Sequence, residues 1–294
     1  MTTTNPTRPV LIARARLGEC PLWDPARQQL AWVDVYNRRI HQFDPSTGDD
    51  QFVEAADVVS AVALAGRDRL LIAMNDQLAV LQLQTGAIEP LCRVEFPHPD
   101  TRFNDGMCDP QGRFWIGSAS EERGQAALYR VDPDGSVHLR ETGLTISNGL
   151  GWSPDGKTFY LTDSPARKIY AYRFDAERGA LSDRRVFVDL DDLEEDIEPD
   201  GLTVDQNGDV WSALWNGWAI LHFDAQGKLL ERIAMPVQRP TSLVFGGPDL
   251  SDLYVTSASV GLSQREIQQG FYAGDLFRIG TDSHGMPEHR FALA

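Results

Sequence analysis

The sequence predicts an all-β fold, a six-bladed β-propeller, and two observations lead to this prediction. The first is a unit of similar length that occurs six times along the chain. Its apolar strand lies around residues 32, 71, 115, 160, 211 and 254, at spacings of 39, 44, 45, 51 and 43 residues. The second is that each unit holds several short strand-like runs separated by Gly, Pro and Asp turns. Units of this length and content are typical of propeller blades.

In four of the units, a turn comes directly before an apolar strand. These pairs of turn and strand are 24–27 with 30–33, 109–112 with 114–117, 153–156 with 159–162, and 205–208 with 210–213. The corresponding strands of the remaining two units are 70–73 and 253–256. The alternation of turn residues with β-branched and aromatic runs favours strands over helices throughout, so we expect a low helix content.

Further runs predict a third strand in each of five blades. They are 38–45, 127–135, 168–175, 219–224 and 275–279.

The opening run 10–15 precedes the first unit, and we predict that it pairs with strands from the C-terminus, which closes the ring and removes a free edge. Two segments depart from the repeat. We expect the acidic run 189–198 to be a solvated loop, with a second cation site as the alternative. We expect residues 261–274 to form a long loop near one rim.

Length and charge limit the protein class. Six units of about 45 residues account for roughly 270 residues, so we expect one domain over residues 1–294. The chain has 27 Lys and Arg against 43 Asp and Glu, a net charge of −16. Nucleic acids and anionic membrane surfaces both require basic residues for binding. We therefore expect neither as a partner.

Cysteine usage and the N-terminal segment indicate a cytoplasmic protein. The three cysteines Cys20, Cys92 and Cys108 are widely spaced, which predicts neither a disulfide framework nor a zinc ribbon. Residues 1–9 are polar, so we expect no signal peptide, and no apolar run approaches the roughly 18 residues of a membrane span. We expect a monomer or a weak homo-oligomer.

One position of the repeat carries oxygen-bearing side chains. Glu19, Asn104, Asn148 and Asp200 each stand five residues before the turn of their unit. The same register holds Ser60 and Ser242 in the other two units. In a propeller this register lies where the innermost strands begin, at the mouth of the central channel. We therefore predict that these side chains converge there.

Two carboxylates and two amide oxygens around one point predict a site for one hard divalent cation. Calcium is favoured and magnesium or manganese also fit, while zinc and ferrous iron could occupy the same ligands. No histidine occurs in this register. The chain also lacks a GxSxG elbow, an HExxH motif, a Walker loop and a dinucleotide fingerprint. If the protein is an enzyme, its residues favour cation-assisted attack on an electrophile.

At these residues the chain resembles the gluconolactonase and senescence-marker-protein (regucalcin-like) family of six-bladed propellers. The matching segments are LGECPLW at 17–23, RFNDG at 102–106, ISNGLGW at 146–152 and PDGL at 199–202. Together these segments are specific, and the resemblance extends along the whole chain. One departure is Cys20, where the family more often has Gly or Ser. This difference concerns the packing beside Glu19.

The resemblance implies hydrolysis of a sugar (aldono-) lactone to the aldonic acid in sugar catabolism. It implies that Glu19, Asn148 and Asp200 hold the divalent cation and that Arg102, Asn104 and Glu122 face the substrate. Asp200 is then the candidate general base for the attacking water. Because a carboxylate bound to a cation is a poor base, a water activated by the cation is the alternative.

Three other functions remain possible at this stage. The first is a calcium-binding regulatory protein without catalysis, and the second is a cation-dependent organophosphate hydrolase on the same fold. The third, a scaffold for protein partners, leaves the inward carboxylates unexplained. Arg102 and Glu122, as readers of ring hydroxyls, favour a sugar over an organophosphate. The sequence names neither the sugar nor the native metal.

Overall fold

The computed structural model describes residues 8–194 and 196–293. Most of residues 1–9, on which the expectation of no signal peptide rests, therefore lies outside the described residues. The described chain forms 24 strands. In chain order they are β1 (Pro9–Leu11), β2 (Gly18–Asp24), β3 (Gln29–Asp34), β4 (Arg39–Asp44), β5 (Asp49–Glu54), β6 (Val59–Leu64), β7 (Arg69–Met74), β8 (Gln77–Gln82), β9 (Ile88–Arg93), β10 (Arg102–Cys108), β11 (Phe114–Ala119), β12 (Ala126–Val131), β13 (Val137–Leu144), β14 (Ser147–Trp152), β15 (Thr158–Asp163), β16 (Lys168–Asp175), β17 (Ala180–Asp189), β18 (Glu198–Val204), β19 (Val210–Trp215), β20 (Ala219–Phe223), β21 (Leu229–Ala234), β22 (Pro240–Gly246), β23 (Asp252–Ser257) and β24 (Leu276–Gly280).

The strands form six antiparallel sheets of four strands each, which confirms the predicted six-bladed propeller. Five blades are built from consecutive strands, β2–β5, β6–β9, β10–β13, β14–β17 and β18–β21. The sixth has the order β1-β24-β23-β22. Its outer strand β1 comes from the N-terminus, where Pro9 lies opposite Phe277. The predicted closure by the opening run is therefore confirmed, and it joins the two ends of the ring.

The innermost strands of neighbouring blades pack side by side around a complete circle, β2, β6, β10, β14, β18, β22 and back to β2. These strands are almost wholly buried. Most of the largest fully buried side chains, such as Trp115 and Phe159, lie between adjacent blades, where they form the apolar core. All six inner strands run in the same direction along the channel. One end of the channel is therefore lined by their first residues and the other end by their last.

The C-terminal segment 281–293 crosses the end of the channel where the inner strands finish. Its backbone bonds to several blades in turn: Gln206 donates to the carbonyl of His284 at 2.9 Å, Phe291 to Leu64 at 2.7 Å and Ala292 to Gly112 at 2.9 Å. We call this end the base and the opposite end the mouth. The segment covers the base, so the channel opens chiefly at its mouth.

The helix content of the described residues is low, as the sequence predicted. Segment 261–274, expected to be a loop, contains the six-residue helix α1 (Gln264–Gln269). A capping box begins this helix, because Ser263 accepts from the Glu266 backbone while the Glu266 side chain accepts from the Ser263 backbone. The signature Ser-x-x-Glu was present in the sequence. Within the described residues, no helix is long and apolar enough to cross a membrane.

Candidate metal centre

A cavity of about 270 Å³ opens at the mouth of the channel. Inner strands of four blades contribute polar side chains to it. These side chains are Glu19, Arg102, Asn104, Asn148, Glu198 and Asp200. The predicted convergence is therefore observed for all four of the strong oxygen donors at the repeated register. The cavity is close to the lower end of the range for small-molecule sites, which begins at about 300 Å³.

A shared irregularity of the inner strands explains why these side chains face the channel. In every inner strand, the pairing with the next strand shifts register beside the repeated position. The shifts lie between Glu19 and Leu22, Val59 and Ala61, Phe103 and Gly106, Ser147 and Leu150, Pro199 and Leu202, and Pro240 and Leu243. A bulge re-aims the side chains that it contains. Six bulges at one level therefore turn residues that are far apart in sequence toward one axis.

Glycines after two of the donors let the inner strands approach closely. A Cβ at Gly149 would lie 2.2 Å from the Leu202 backbone nitrogen, and one at Gly201 would lie 2.3 Å from Ser242 Oγ. Cys20 occupies the corresponding place after Glu19. Its thiol fits there, since Sγ lies 3.3 Å from the Val62 nitrogen and 3.5 Å from the Val62 oxygen. Cys20 therefore packs its thiol against the Val62 backbone, while its own backbone is left-handed, with a φ of 45°.

The hydrogen bonds of Asn148 leave one oxygen free for a ligand. Its side-chain Nδ2 donates to Ser164 Oγ at 3.1 Å and also to Asp200 Oδ1. The amide oxygen Oδ1 is buried and has no partner among the described residues. An unpaired buried carbonyl costs free energy. A cation beside the Asp200 carboxylate would satisfy this oxygen, so the residues present fit a hard divalent ion.

The pKa values of the two carboxylates at the site, Glu19 and Asp200, are both raised. Burial, and next the neighbouring Asp200, raise the pKa of Glu19 well above its ordinary value. Burial, and next Asp105, raise the pKa of Asp200 in the same direction. Burial disfavours the charged form, and like charges add to this effect. A bound divalent cation would offset both negative charges and stabilise their ionised forms.

Arg102 and Asn104 form one unit at the wall of the cavity. Arg102 Nη1 donates to Asn104 Oδ1 at 3.0 Å and to the Phe103 carbonyl at 2.8 Å. Asn104 Nδ2 donates in turn to the Ser147 carbonyl at 3.1 Å. Both polar ends of Asn104 are thus engaged, and Asn104 holds the guanidinium group in place. Arg102 is also close enough to Glu19 to lower the pKa of that carboxyl.

The structure does not bring three of the sequence candidates into the cavity. Glu122 has a largely exposed side chain, 66 %, whose carboxylate lies 3.4 Å from His98 Nδ1. Ser60 is buried with its hydroxyl unpaired among the described residues. Ser242 is also buried and lies deeper in the channel, below the donors. The blades on either side of the Glu19 blade, which carry the two serines, therefore supply no ligand to this cavity.

Several residues of the site were not singled out in the sequence. Glu198 lies in the cavity two residues before Asp200, and burial raises its pKa. Tyr36 and Trp215 supply flat apolar surface at the same cavity. Trp215 packs against the Arg239 guanidinium, 4.5 Å from the ring centre. Asp105 lies just inside the channel and acts on both Glu19 and Asp200. Only its position beside Asn104 could have drawn attention to it.

A second group of potential ligands, Asp205, Asp209 and His222, lies at the base. Asp205 Oδ1 accepts the Asn207 and Asp209 backbone amides at 2.9 and 3.0 Å, and Oδ2 accepts Trp211 Nε1 at 3.2 Å. Both oxygens of Asp205 are therefore used to form the turn. These bonds show that the group stabilises the turn of its blade.

The acidic run 189–198 does not collect into a cation site in the part that the structure describes. Lys168 Nζ lies 2.7 Å from an oxygen of Asp191 and 3.2 Å from one of Asp189. The described carboxylates of the run, Glu198 excepted, are on the surface, and Lys168 pairs with Asp189 and Asp191. The expectation of a solvated loop agrees with this arrangement, whereas Glu195 lies outside the described residues.

Fold and site together define a class of protein, a six-bladed β-propeller with a candidate hard-cation centre at the mouth of its channel. Residues 17–259 match the family described as SMP-30/gluconolactonase/LRE-like region. The chain belongs to this family, as its sequence motifs indicated.

Relatives within the family carry different names. A pentonolactonase of Haloferax volcanii is 39% identical over 286 residues, which cover 96% of each chain. Regucalcin of Gallus gallus is 35% identical over 288 residues, covering 95% of this chain and 96% of the relative. Among solved structures, a calcium-binding protein, regucalcin, from Agrobacterium tumefaciens superposes with a TM-score of 0.92 at 29% identity, with both chains fully covered.

Proposed function

We propose that this protein hydrolyses a sugar lactone to the corresponding aldonic acid, with one divalent cation held by Glu19, Asn148 and Asp200. The observation that carries the proposal is the unpartnered Asn148 oxygen, which lies in one cavity with the buried Asp200 carboxylate and the partly buried Glu19 carboxylate. A relative with 39% identity is named a pentonolactonase, which supports a lactone as the substrate. Calcium is the favoured ion, because the donors are all oxygens.

The cation, when bound, polarises the lactone carbonyl and stabilises the negative charge that develops on its oxygen. The protein supplies the remaining steps. Asp200 accepts a proton from the attacking water as the new carbon–oxygen bond forms. A carboxylate positioned beside the attacking water acts in this way as a general base. The bond from Asn148 fixes the Asp200 carboxylate in place. Asp200 then returns the proton to the ring oxygen as the ring bond breaks.

Arg102 is proposed to bind oxygens of the substrate. Its guanidinium is a rigid fork of donors, suited to paired oxygens, and Asn104 fixes it from behind. Asn104 itself uses both ends of its amide within the protein, so its contribution to binding is chiefly to hold Arg102. Glu122 is proposed to reach a substrate hydroxyl from the rim, where its side chain is exposed beside His98.

The second candidate function is calcium binding without catalysis. It is favoured by the relatives named regucalcin and by the solved structure described as a calcium-binding protein. This alternative uses the same three ligands, and it requires no general base and no substrate cavity. The two functions therefore differ only in whether a lactone is opened.

A panel of five- and six-carbon aldonolactones, assayed with a pH indicator in the presence of Ca²⁺ or Mn²⁺, separates the two functions. Ring opening releases acid, so hydrolysis is seen directly. We expect turnover of at least one aldonolactone, and no turnover of an organophosphate ester. Cation binding without hydrolysis of any lactone would reject the enzyme and leave the calcium-binding protein.

The pH dependence of cation binding follows from the raised pKa values. Protons compete with the cation for Glu19 and Asp200, and both groups hold protons above their ordinary range. Affinity should therefore decline as the pH is lowered, beginning above the ordinary carboxyl pKa of about 4. For the same reason the metal-free protein should lose stability as the pH rises through this window. Calorimetric titration with Ca²⁺ between about pH 8 and pH 5 measures the effect, and a flat affinity over that range would contradict it.

A further inference from the structure

The fifth blade presents a carboxylate next to an aromatic ring at the mouth cavity. Glu198, the first residue of β18, lies directly opposite Trp215, the last residue of β19. Directly opposite residues of an antiparallel pair place their side chains on the same face of the sheet, with Cβ atoms about 4.5–5.5 Å apart. Both residues line the cavity, and both are only partly buried. The cavity is therefore bordered by a carboxylate and an indole side by side.

The Glu198 carboxylate has no hydrogen-bond partner among the described residues. Arg167, a basic residue nearby, is engaged elsewhere. Its guanidinium lies 3.4 Å from an oxygen of Asp191 and donates to the Leu193 carbonyl at 3.2 Å. An ionised carboxylate can only accept hydrogen bonds. Glu198 therefore offers its oxygens to a donor that enters the cavity.

The indole of Trp215 is held in place on one face. Arg239 Cζ lies 4.5 Å from the ring centre, and Arg239 itself does not line the cavity. Arg239 Nε donates to Asn216 Oδ1 at 2.7 Å, and Nη1 donates to the Val260 carbonyl. A guanidinium fixed over the ring favours one orientation of the indole. The part of the ring that Arg239 leaves uncovered is the part that borders the cavity.

A carboxylate beside a flat ring suits the two kinds of surface that a sugar ring has. Its C–H groups form an apolar face, which packs against an aromatic ring. Its hydroxyls lie around the rim and donate strong hydrogen bonds to a carboxylate. A ring without hydroxyls would cover Glu198 and leave it without a donor, which costs affinity.

We propose, on the basis of the proposed lactone hydrolysis, that Glu198 and Trp215 determine the specificity of this site for a polyhydroxylated ring. Glu198 accepts from hydroxyls of the substrate, and Trp215 packs against its C–H face. The substrate class is then a lactone with free hydroxyls, in preference to an unsubstituted lactone of the same ring size. Glu198 is not a ligand of the cation in this arrangement.

Binding of an aldonolactam, in which N–H replaces the ring oxygen, tests these roles without hydrolysis. Calorimetry at saturating Ca²⁺ should detect binding to the natural full-length protein. Glu198→Ala should weaken this binding by about ten- to hundredfold, the range for lost hydrogen bonds to a charged group. The control Glu231→Ala changes an exposed glutamate in β21 of the same blade and should bind as tightly as the natural protein. The unsubstituted lactam of the same ring size should bind weakly to all three proteins.

Trp215 is tested in the same assay. Trp215→Leu should weaken binding of the aldonolactam by roughly three- to tenfold, because it removes the flat ring. Trp215→Phe keeps a flat ring and should recover most of this loss. Equal affinity of Trp215→Leu and the natural protein would remove Trp215 from the specificity of the site.

Two further measurements separate a substrate contact of Glu198 from other roles. Glu198→Ala should still bind one Ca²⁺. Its KM for the aldonolactone should rise while kcat is retained, because the lost contact acts alike on substrate and transition state. If Glu198→Ala does not fold, Glu198→Gln keeps the shape of the side chain and should lose about fivefold in lactam affinity, since only the charge is removed.

Three results would each overturn the role of Glu198. They are unchanged lactam affinity in the Glu198 variant, loss of the Ca²⁺ ion in that variant, and no binding of any aldonolactam by the natural protein. Lactam binding that depends on Glu198, without hydrolysis of any lactone, would reject the proposed enzyme and retain the role of Glu198. Hydrolysis with an unchanged KM in the Glu198 variant would do the reverse.

Discussion

Replacement of Asp200 by asparagine should lower lactone turnover by about a thousandfold or more, while the protein stays folded. Stabilisation of developing charge by a cation contributes several kcal/mol, and about 1.4 kcal/mol corresponds to a factor of ten in rate. Asp200 is 4% exposed and serves both as proposed ligand and as proposed base. The asparagine keeps the size of the side chain but loses the charge and the basicity.

Turnover of the most active aldonolactone at saturating Ca²⁺ measures this effect, with circular dichroism as the check on folding. Asp192→Asn is a suitable control, because Asp192 is an exposed acid in the loop before β18. Its turnover should equal that of the natural protein. An Asp200→Asn variant within tenfold of the natural protein would remove Asp200 from the mechanism.

The second large effect is expected for Gly149→Ala, and it concerns stability. The added methyl group would lie 2.2 Å from the Leu202 nitrogen, 2.6 Å from the Gly201 carbonyl carbon and 2.7 Å from the Asp200 carbonyl oxygen. All three are backbone atoms of the next inner strand, which is held between its own neighbours in a closed ring. Overpacking commonly costs about 1–3 kcal/mol, and more where the neighbours cannot move. We expect a loss of at least about 3 kcal/mol in the free energy of unfolding.

Urea denaturation of Gly149→Ala measures this loss. Gly280→Ala provides a matched control, since a Cβ at Gly280 meets nothing within 4 Å and its backbone is not left-handed. That variant should unfold at the same urea concentration as the natural protein. An equally stable Gly149→Ala would show that the inner strands are not packed as closely as described. Because the clash reaches Asp200, cation binding should weaken as well.

The architecture and the convergence of polar side chains at the mouth were predictable because both depend on repetition. Bulges at one level in six inner strands place Glu19, Asn148 and Asp200 together, so equal register in the sequence becomes proximity in space. The turn residues that end the inner strands had the same regular spacing. Even the closing strand β1 could be predicted, since an opening run without a blade of its own leaves one sheet incomplete.

Residues that depend on local departures from the repeat were not predictable. Asp105 follows Asn104 directly, and simple alternation along a strand would turn it away from the channel. The bulge instead presents both residues inward. The C-terminal segment 281–293 has no counterpart in other blades, and its position is set by backbone bonds to distant turns. Tyr36 lies just after β3 and Trp215 is the last residue of β19, and the repeat gives no signal for a substrate wall at either place.

The position of Glu122 could not be predicted from the repeat. Its role was implied by the family resemblance, and the structure places its carboxylate beside His98 outside the cavity lining. Helix α1 is a different case. The Ser-x-x-Glu pattern of its capping box is present in the sequence, but a helix of six residues is too short to show a helical periodicity. Local contacts determine where Glu122 and helix α1 lie, and the sequence does not show these contacts.

The most direct test is lactone hydrolysis by protein stripped of metal with a strong chelator, freed of the chelator and then supplied with one divalent ion at a time. In the proposed site, oxygens from blades one, four and five bind one divalent ion. We therefore expect the protein stripped of metal to be inactive. Activity should return with a saturable dependence on Ca²⁺ or Mn²⁺. Undiminished hydrolysis by protein whose metal content has been shown to be negligible would contradict a role for the ion.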